Sequence, residues 1–173
     1  MGEGATIVAV AAGNGTALDP GGFDPGALSG AWAANDEGLT KSIGGEQKPA
    51  WAVWGADADV IFAGSKAGAM THEGAAYVKA RTIAPIGPVP ITSKSLAVLG
   101  RAGVTYVPDF VSVAGPLLVG VGGVDPLEAP AKIGELVTEL AAHPDGLFLG
   151  ACKRAEDFLR TWQAELPFGR PLA

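Results

Sequence analysis

The sequence is poor in the groups that make covalent staples and metal sites: among 173 residues there is one cysteine, Cys152, and there are two histidines, His72 and His143. A single thiol cannot close an internal disulfide. Two distant imidazoles and one thiol do not cluster as metal ligands do, so no metal is expected. Charge is scarce as well, at 17% of residues, with a net value of −6 and no run of lysine or arginine. Binding to nucleic acid or to an anionic membrane needs a basic face, and both partner classes are excluded. The longest nearly apolar stretch, Phe110 to Val124, is shorter than a membrane span and is broken by Pro116 and several glycines. The amino terminus carries Glu3 and no basic region, so neither a leader nor a transmembrane helix is expected. With Cys152 set among Leu147, Phe148, Leu149 and Ala151 as a buried thiol, the expected compartment is the cytoplasm.

Apolar residues, by contrast, are plentiful, at 48% with a mean hydropathy of +0.28. That is more than one soluble domain of this size needs, and it implies that part of the surface packs against another chain. The length suits a single domain over residues 1–173 that buries about two-thirds of its unfolded surface.

Thr6 to Val10 is an apolar β-branched run of strand length, followed by a loop at Gly13-Asn14-Gly15. Asp24 can cap a helix that begins at Pro25 and runs to Ala34. Residues 35–50 read as a charged, glycine-rich loop with one weak strand at Leu39 to Ile43. Val60 to Ala63 is a second buried strand, and Thr71 caps a helix through about Lys79 with Glu73 in its first turn. "RTIAPIGPVPIT" supplies a third strand and a proline-rich loop, Thr92 caps a helix ending near Gly100 to Gly103, and "VTYVPDF" is a fourth strand. Leu127, Ile133, Leu136, Val137 and Leu140 then recur at helical spacing, "HPDG" breaks that helix, and Leu147, Ala151, Ala155, Phe158, Leu159 and Trp162 mark one face of a last one. Buried strands alternating with capped helices predict an α/β fold with a parallel sheet covered by helices.

Four stretches carry a family resemblance: "GATIVAVAAGNGTALDPGGFDPGAL", "DADVIFAGSKAG", "AYVKARTIAPIGPVPITSKSLAVLGRAGVTYVPDFVSVAGPLL", and the closing pair "AKIGELVTEL" and "LFLGACKRAEDFL". In order and spacing the whole chain resembles the C-terminal, Rossmann-like nucleotide-binding domain of the glutamate/leucine/phenylalanine/valine dehydrogenase family. The resemblance begins at that family's second strand, so the first strand and its GxGxxG turn, on which a pyrophosphate would rest, have no counterpart. The family's ribose-binding aspartate falls on Ala12, its two asparagines near the nicotinamide on Pro88 and Val113, and a glycine on Pro116. The family's substrate domain, with its catalytic lysine and aspartate, is also without counterpart, and "GGEQK" at Gly44 to Lys48 lies in the wrong part of the fold to replace it. The implied fold is a truncated, degenerate Rossmann-like sheet with two C-terminal helices, and the implied cofactor is none. In the Rossmann strand order the absent strand is central. The gap is filled either by Thr6 to Val10 closing up on Val60 to Ala63 or by a strand from another chain, with a homodimer as the first choice.

Open parallel sheets hold ligands outside the carboxyl ends of their strands. Here those ends are Ser65-Lys66, Pro88 to Thr92 and Asp109 to Ser112. Lys66 at an apolar mouth would have its amine pKa lowered by desolvation, and Asp109 could serve as acid or base; the plainer roles are a lysine reaching solvent and an aspartate fixing its loop. Ser65, Pro88, Thr92, Ser112 and Val113 are candidate substrate contacts, Thr92 being equally well explained as a helix cap. His72 and His143 fit exposed helix ends, and Trp32, Trp51, Trp54 and Trp162 fit core or interface anchors. The leading expectation is a small non-redox, cofactor-independent enzyme of the cyclase, isomerase or lyase type in specialised metabolism, acting on a small molecule. The alternatives are a non-catalytic subunit or binding module that pairs with a larger enzyme, and an NAD-dependent amino acid dehydrogenase completed by a partner's strand.

Overall fold

The computed structural model describes residues 4–13, 15–34, 38–64 and 66–163. Strand β1 (Ile7–Ala12) turns directly into β2 (Gly15–Phe23). Ala12 pairs with Gly15 across the turn, and Gly13 takes φ 57°, the left-handed conformation that favours glycine there. The loop expected at Gly13 to Gly15 is thus where the chain turns, and β2 beyond it is a strand that the sequence reading does not include. Asp19 to Gly22 disguise it, since Asp19 accepts the Gly21 amide (2.8 Å) in a local turn and the pairing is irregular between Ile7 and Ala9.

Helix α1 (Pro25–Ala34) follows, with Asp24 Oδ2 accepting the Ala27 amide at 2.6 Å as its expected cap. The weak strand expected at Leu39 to Ile43 is instead the short helix α2 (Leu39–Ser42), because Leu39 and Thr40 are buried side by side. The polar segment beyond it is a strand, β3 (Glu46–Pro49), antiparallel to β2. Gln47 Nε2 donates to Thr40 O (2.7 Å) and Thr16 Oγ1 to Ala50 O (3.0 Å), so pairing and side-chain bonds hold a stretch whose own propensity is low. A 3₁₀ helix over Ala50–Gly55 leads to the second half of the molecule.

There β4 (Val60–Ala63), α3 (His72–Ala75), β5 (Thr82–Pro85), α4 (Ser93–Arg101) and β6 (Thr105–Tyr106) give the expected parallel sheet in the order β4-β5-β6. Short helices α5 (Asp109–Ser112) and α6 (Gly115–Gly120) precede the long pair α7 (Ala129–Ala141) and α8 (Gly146–Leu159). Ile61, Ala63, Met70, Ile83, Ile91, Leu99 and Tyr106 form one core, and Val107, Val111, Leu140, Leu147 and Ala151 form a second with Ala84 packed on it. Leu127, Phe158 and Trp162, expected on apolar helix faces, are 90%, 66% and 62% exposed, and only the inner half of α8 is covered. α3 is also shorter than expected, ending at Ala75 rather than near Lys79.

β1 does not close up on β4. It pairs with β2 in a separate sheet, β1-β2-β3, which corrects that expectation: the hairpin satisfies β1 locally before a distant strand can. No helix among the described residues is long and apolar enough to cross a membrane.

Thr92 Oγ1 accepts the Ser95 amide (3.1 Å), and Ser95 Oγ in turn donates to Met70 O (2.8 Å) in the core. Thr92→Ala is expected to lower stability by about 1 kcal/mol, measured as a lower urea midpoint with an unchanged slope.

Candidate functional site

The loops that leave β4, β5 and β6 at their carboxyl ends meet on one crest. Gly64 and Gly87 touch there through backbone alone: a Cβ on Gly87 would lie 2.7 Å from Gly64 O, and one on Gly64 would lie 2.9 Å from the Gly87 amide. The loop after β5 then passes through Val89, whose φ of 47° is the one positive value at a non-glycine position among the described residues. For a β-branched side chain this conformation is strained, and it persists only because neighbouring groups fix it. The Val89 amide donates to Asp109 Oδ2 (2.7 Å), and its carbonyl accepts the Gly68 amide (2.8 Å). Val89 thus ties together the ends of all three parallel strands.

Asp109 stands where the sequence placed it, half-buried at the start of α5. One of its carboxylate oxygens is spent on Val89, and its carbonyl accepts the Val113 amide (2.9 Å) and the Ser112 hydroxyl (3.4 Å). Its charge also reaches Tyr106. Burial first, and the Asp109 carboxylate second, push the Tyr106 phenol far above its ordinary range, so it stays neutral. Tyr106 meets Phe148 in a tilted contact and Phe110 meets it edge-on, with centroids 6.0 and 6.5 Å apart, which brings α8 against the crest. Ile86, Val89 and Phe110 are nonetheless exposed.

Lys66 is exposed, and among the described residues it enters no ion pair, with Asp109 or with any other acidic side chain. Pro88 is exposed beside Val89, and Val113 is half-buried at the end of α5. Thr92 acts as a helix cap, and Ser65 lies outside the described residues. Ser112 lines an apolar groove of about 630 Å³ between α6 and α7, together with Gly115, Pro116, Val119, Ala129 and Ile133. Ala12 ends β1 with a methyl group that can accept no hydrogen bond. His143 sits at the joint of α7 and α8, where its Nδ1 accepts the Asp145 amide (3.1 Å), and His72 is exposed at the start of α3. Cys152 is half-buried, its thiol pKa raised by desolvation and then by Glu156. Among the described residues no group of three or more histidine, cysteine or acidic side chains could hold a metal ion. Two residues of the site escape sequence reasoning: Tyr106, three positions before Asp109, and Val89, whose two flanking prolines give no sign of a positive φ.

The sequence profile described as Glutamate/Leucine/Phenylalanine/Valine dehydrogenase matches residues 1–122. No curated protein matches significantly. Among solved structures, the hetero-hexameric glutamate dehydrogenase of Thermus thermophilus in its Leu-bound form is 23% identical, with a TM-score of 0.68 over 93% of this chain and 42% of that one. Glutamate dehydrogenase 2 of Plasmodium falciparum is 18% identical, with a TM-score of 0.68 over 93% and 43% of the two chains. L-tryptophan dehydrogenase of Nostoc punctiforme is 19% identical, with a TM-score of 0.55 over 72% and 42%. The chain spans about two-fifths of the length of these structures.

Proposed function

The chain belongs to the glutamate/leucine/phenylalanine/valine dehydrogenase family, and from that premise we propose that it is a non-catalytic module that pairs with a larger dehydrogenase-type chain. The observation that carries this reading is the division of the strands into two sheets, in which, among the described residues, β1 and β4 each have a partner on one side only, on a strongly apolar molecule. Ala12, Pro88 and Val113 at the family's cofactor-facing positions argue against hydride transfer by this chain on its own. A structure described as hetero-hexameric supplies a precedent in which a chain with this fold assembles with unlike chains.

The test is purification of the chain alone and co-expressed with a dehydrogenase-type chain encoded beside it, followed by light scattering and calorimetric titration with NAD. The expected result is a stable complex of the two chains and no saturable NAD binding by the isolated one. Saturable micromolar binding by the isolated chain, or failure of any such complex to form, would overturn the reading.

One observation favours a second reading, a small non-redox enzyme: the Asp109 carboxylate stands at the strand ends beside the exposed Ile86, Val89 and Phe110, an arrangement suited to an apolar substrate with a proton to exchange. In that case Lys66 would have to swing toward Asp109 when substrate binds. Turnover by the isolated chain that is lost in both Lys66→Met and Asp109→Asn would establish it.

A further inference from the structure

The last two helices double back on each other. His143 packs on Gly150, where an added Cβ would lie 2.7 Å from the His143 Cβ. Leu136, Val137 and Leu140 share a cluster with Leu147 and Ala151, and Arg154 is ion-paired with Glu139. Each step back along α7 thus meets a later residue of α8, so the helices run antiparallel and the end of α8 returns toward the start of α7. That start is a wall of the 630 Å³ groove: Ala129, Pro130 and Ile133 line it together with Pro116 and Val119 of α6 and with Pro126.

Ser112 supplies the only polar side chain of the lining, and no charged one takes part. The volume lies in the range of sites that enclose a drug-sized molecule, so the groove has room for two or three apolar side chains. At its α7 end stand Asp125 and Glu128, both exposed and, among the described residues, in no ion pair.

The chain leaves α8 beside this groove. From Ala151 to Leu159 α8 rises about 12 Å, and from Ile133 to Leu140 α7 rises about 10 Å, so Leu159 and Ile133 stand roughly level. The axes of packed helices lie about 8 to 10 Å apart. Gln163 N still donates to Leu159 O (2.9 Å), and residues 164–173, outside the described ones, read AELPFGRPLA. Leu166 and Phe168 come three and five residues after Gln163, a reach of about 10 to 17 Å for extended chain, which matches the step from one helix to the other. Pro167 and Pro171 remove two backbone donors from the segment, so its apolar side chains are best buried on a surface that asks for no strand pairing. Arg170 follows at the distance at which an extended chain passes the acidic end of the groove.

We propose that the groove between α6 and α7 is the seat of this chain's own segment Leu166–Arg170, with Leu166 and Phe168 filling it and Arg170 meeting Asp125 and Glu128. The segment then straps α6 onto α7 and removes an apolar surface from solvent without any other chain.

The test follows backbone hydrogen exchange in the full chain and in the full chain carrying Leu166→Ser and Phe168→Ser. The amides of Leu118 and Val121, bonded to Ala114 O (3.0 Å) and Leu117 O (2.9 Å) within α6, are the reporters, and that of Val107, bonded to Ile83 O (3.0 Å), is the control. The expected result is exchange about fivefold or more faster at the two α6 amides of the double variant and unchanged at Val107. A synthetic peptide of residues 164–173 added to the double variant restores the protection, and the same peptide with both serines does not. Arg170→Ala is expected to speed α6 exchange by about twofold at low salt and not at high salt. Equal α6 exchange in the native chain and the double variant, or failure of the native peptide to restore protection, would overturn the proposal. So would α6 protection that rises with protein concentration alongside a dimer in light scattering, since the groove would then hold a second copy.

Discussion

Leu99→Ala is expected to lower the stability of the protein by about 3 kcal/mol, the largest effect foreseen for any single conservative truncation here. Leu99 is fully buried in α4, within the cluster of Ile61, Met70, Ile83, Ile91 and Tyr106 that fixes this helix on the parallel sheet. Removing its branched end subtracts the transfer free energy of the lost carbons. It also leaves a cavity that the sheet cannot close, because Ile61 and Ile83 are held by strand pairing. The measurement is chemical denaturation followed by fluorescence, for which Trp54 is a reporter packed against the same cluster. Leu96→Ala, one turn away at a half-buried position, is expected to cost less than half as much. A loss below about 1 kcal/mol for Leu99→Ala would mean that the core repacks, and the sheet-and-helix account of this half would fail.

That half was legible in the sequence because its signals are local. Val60 to Ala63 is a short apolar run, Thr92 is a cap whose acceptor role the Ser95 amide bears out, and the alternation with helices selects a parallel sheet. The antiparallel half was not legible, because long-range pairing decides it. Asp19 to Gly22 hide β2, and nothing in Glu46 to Pro49 resembles a strand until β2 lies beside it. The crest divides in the same way. Asp109 could be picked out as a polar group at a strand end, but its bond to Val89 spans 20 positions and depends on a backbone conformation that a valine between two prolines does not announce. Phe158 and Trp162 mislead in the opposite sense. Their helical spacing extends the apolar face of α8, yet Phe158 stands exposed in its last turn and Trp162 lies beyond its end at Leu159.

Asp109→Ala is expected to cost about 2 kcal/mol, and the size of that loss should depend on what occupies position 89. The carboxylate makes a 2.7 Å bond to the Val89 amide, and hydrogen bonds to charged groups contribute about 1.5 to 3 kcal/mol. It also holds Val89 at φ 47°, a conformation that costs a non-glycine residue about 1 to 3 kcal/mol. Val89→Gly removes that strain but adds roughly 0.5 to 1 kcal/mol of backbone entropy lost on folding, so alone it should leave stability unchanged or slightly raised. In the Val89→Gly background the loop reaches its shape without a clamp. Asp109→Ala should then cost about half as much as in the native chain, a coupling of about 1 kcal/mol. Asp109→Asn keeps an acceptor oxygen toward the amide and should lose less than the alanine variant. The double-mutant cycle, read from denaturation midpoints, separates a clamp from a carboxylate retained only for chemistry: a catalytic Asp109 with no hold on the loop would give additive variants and little loss of stability.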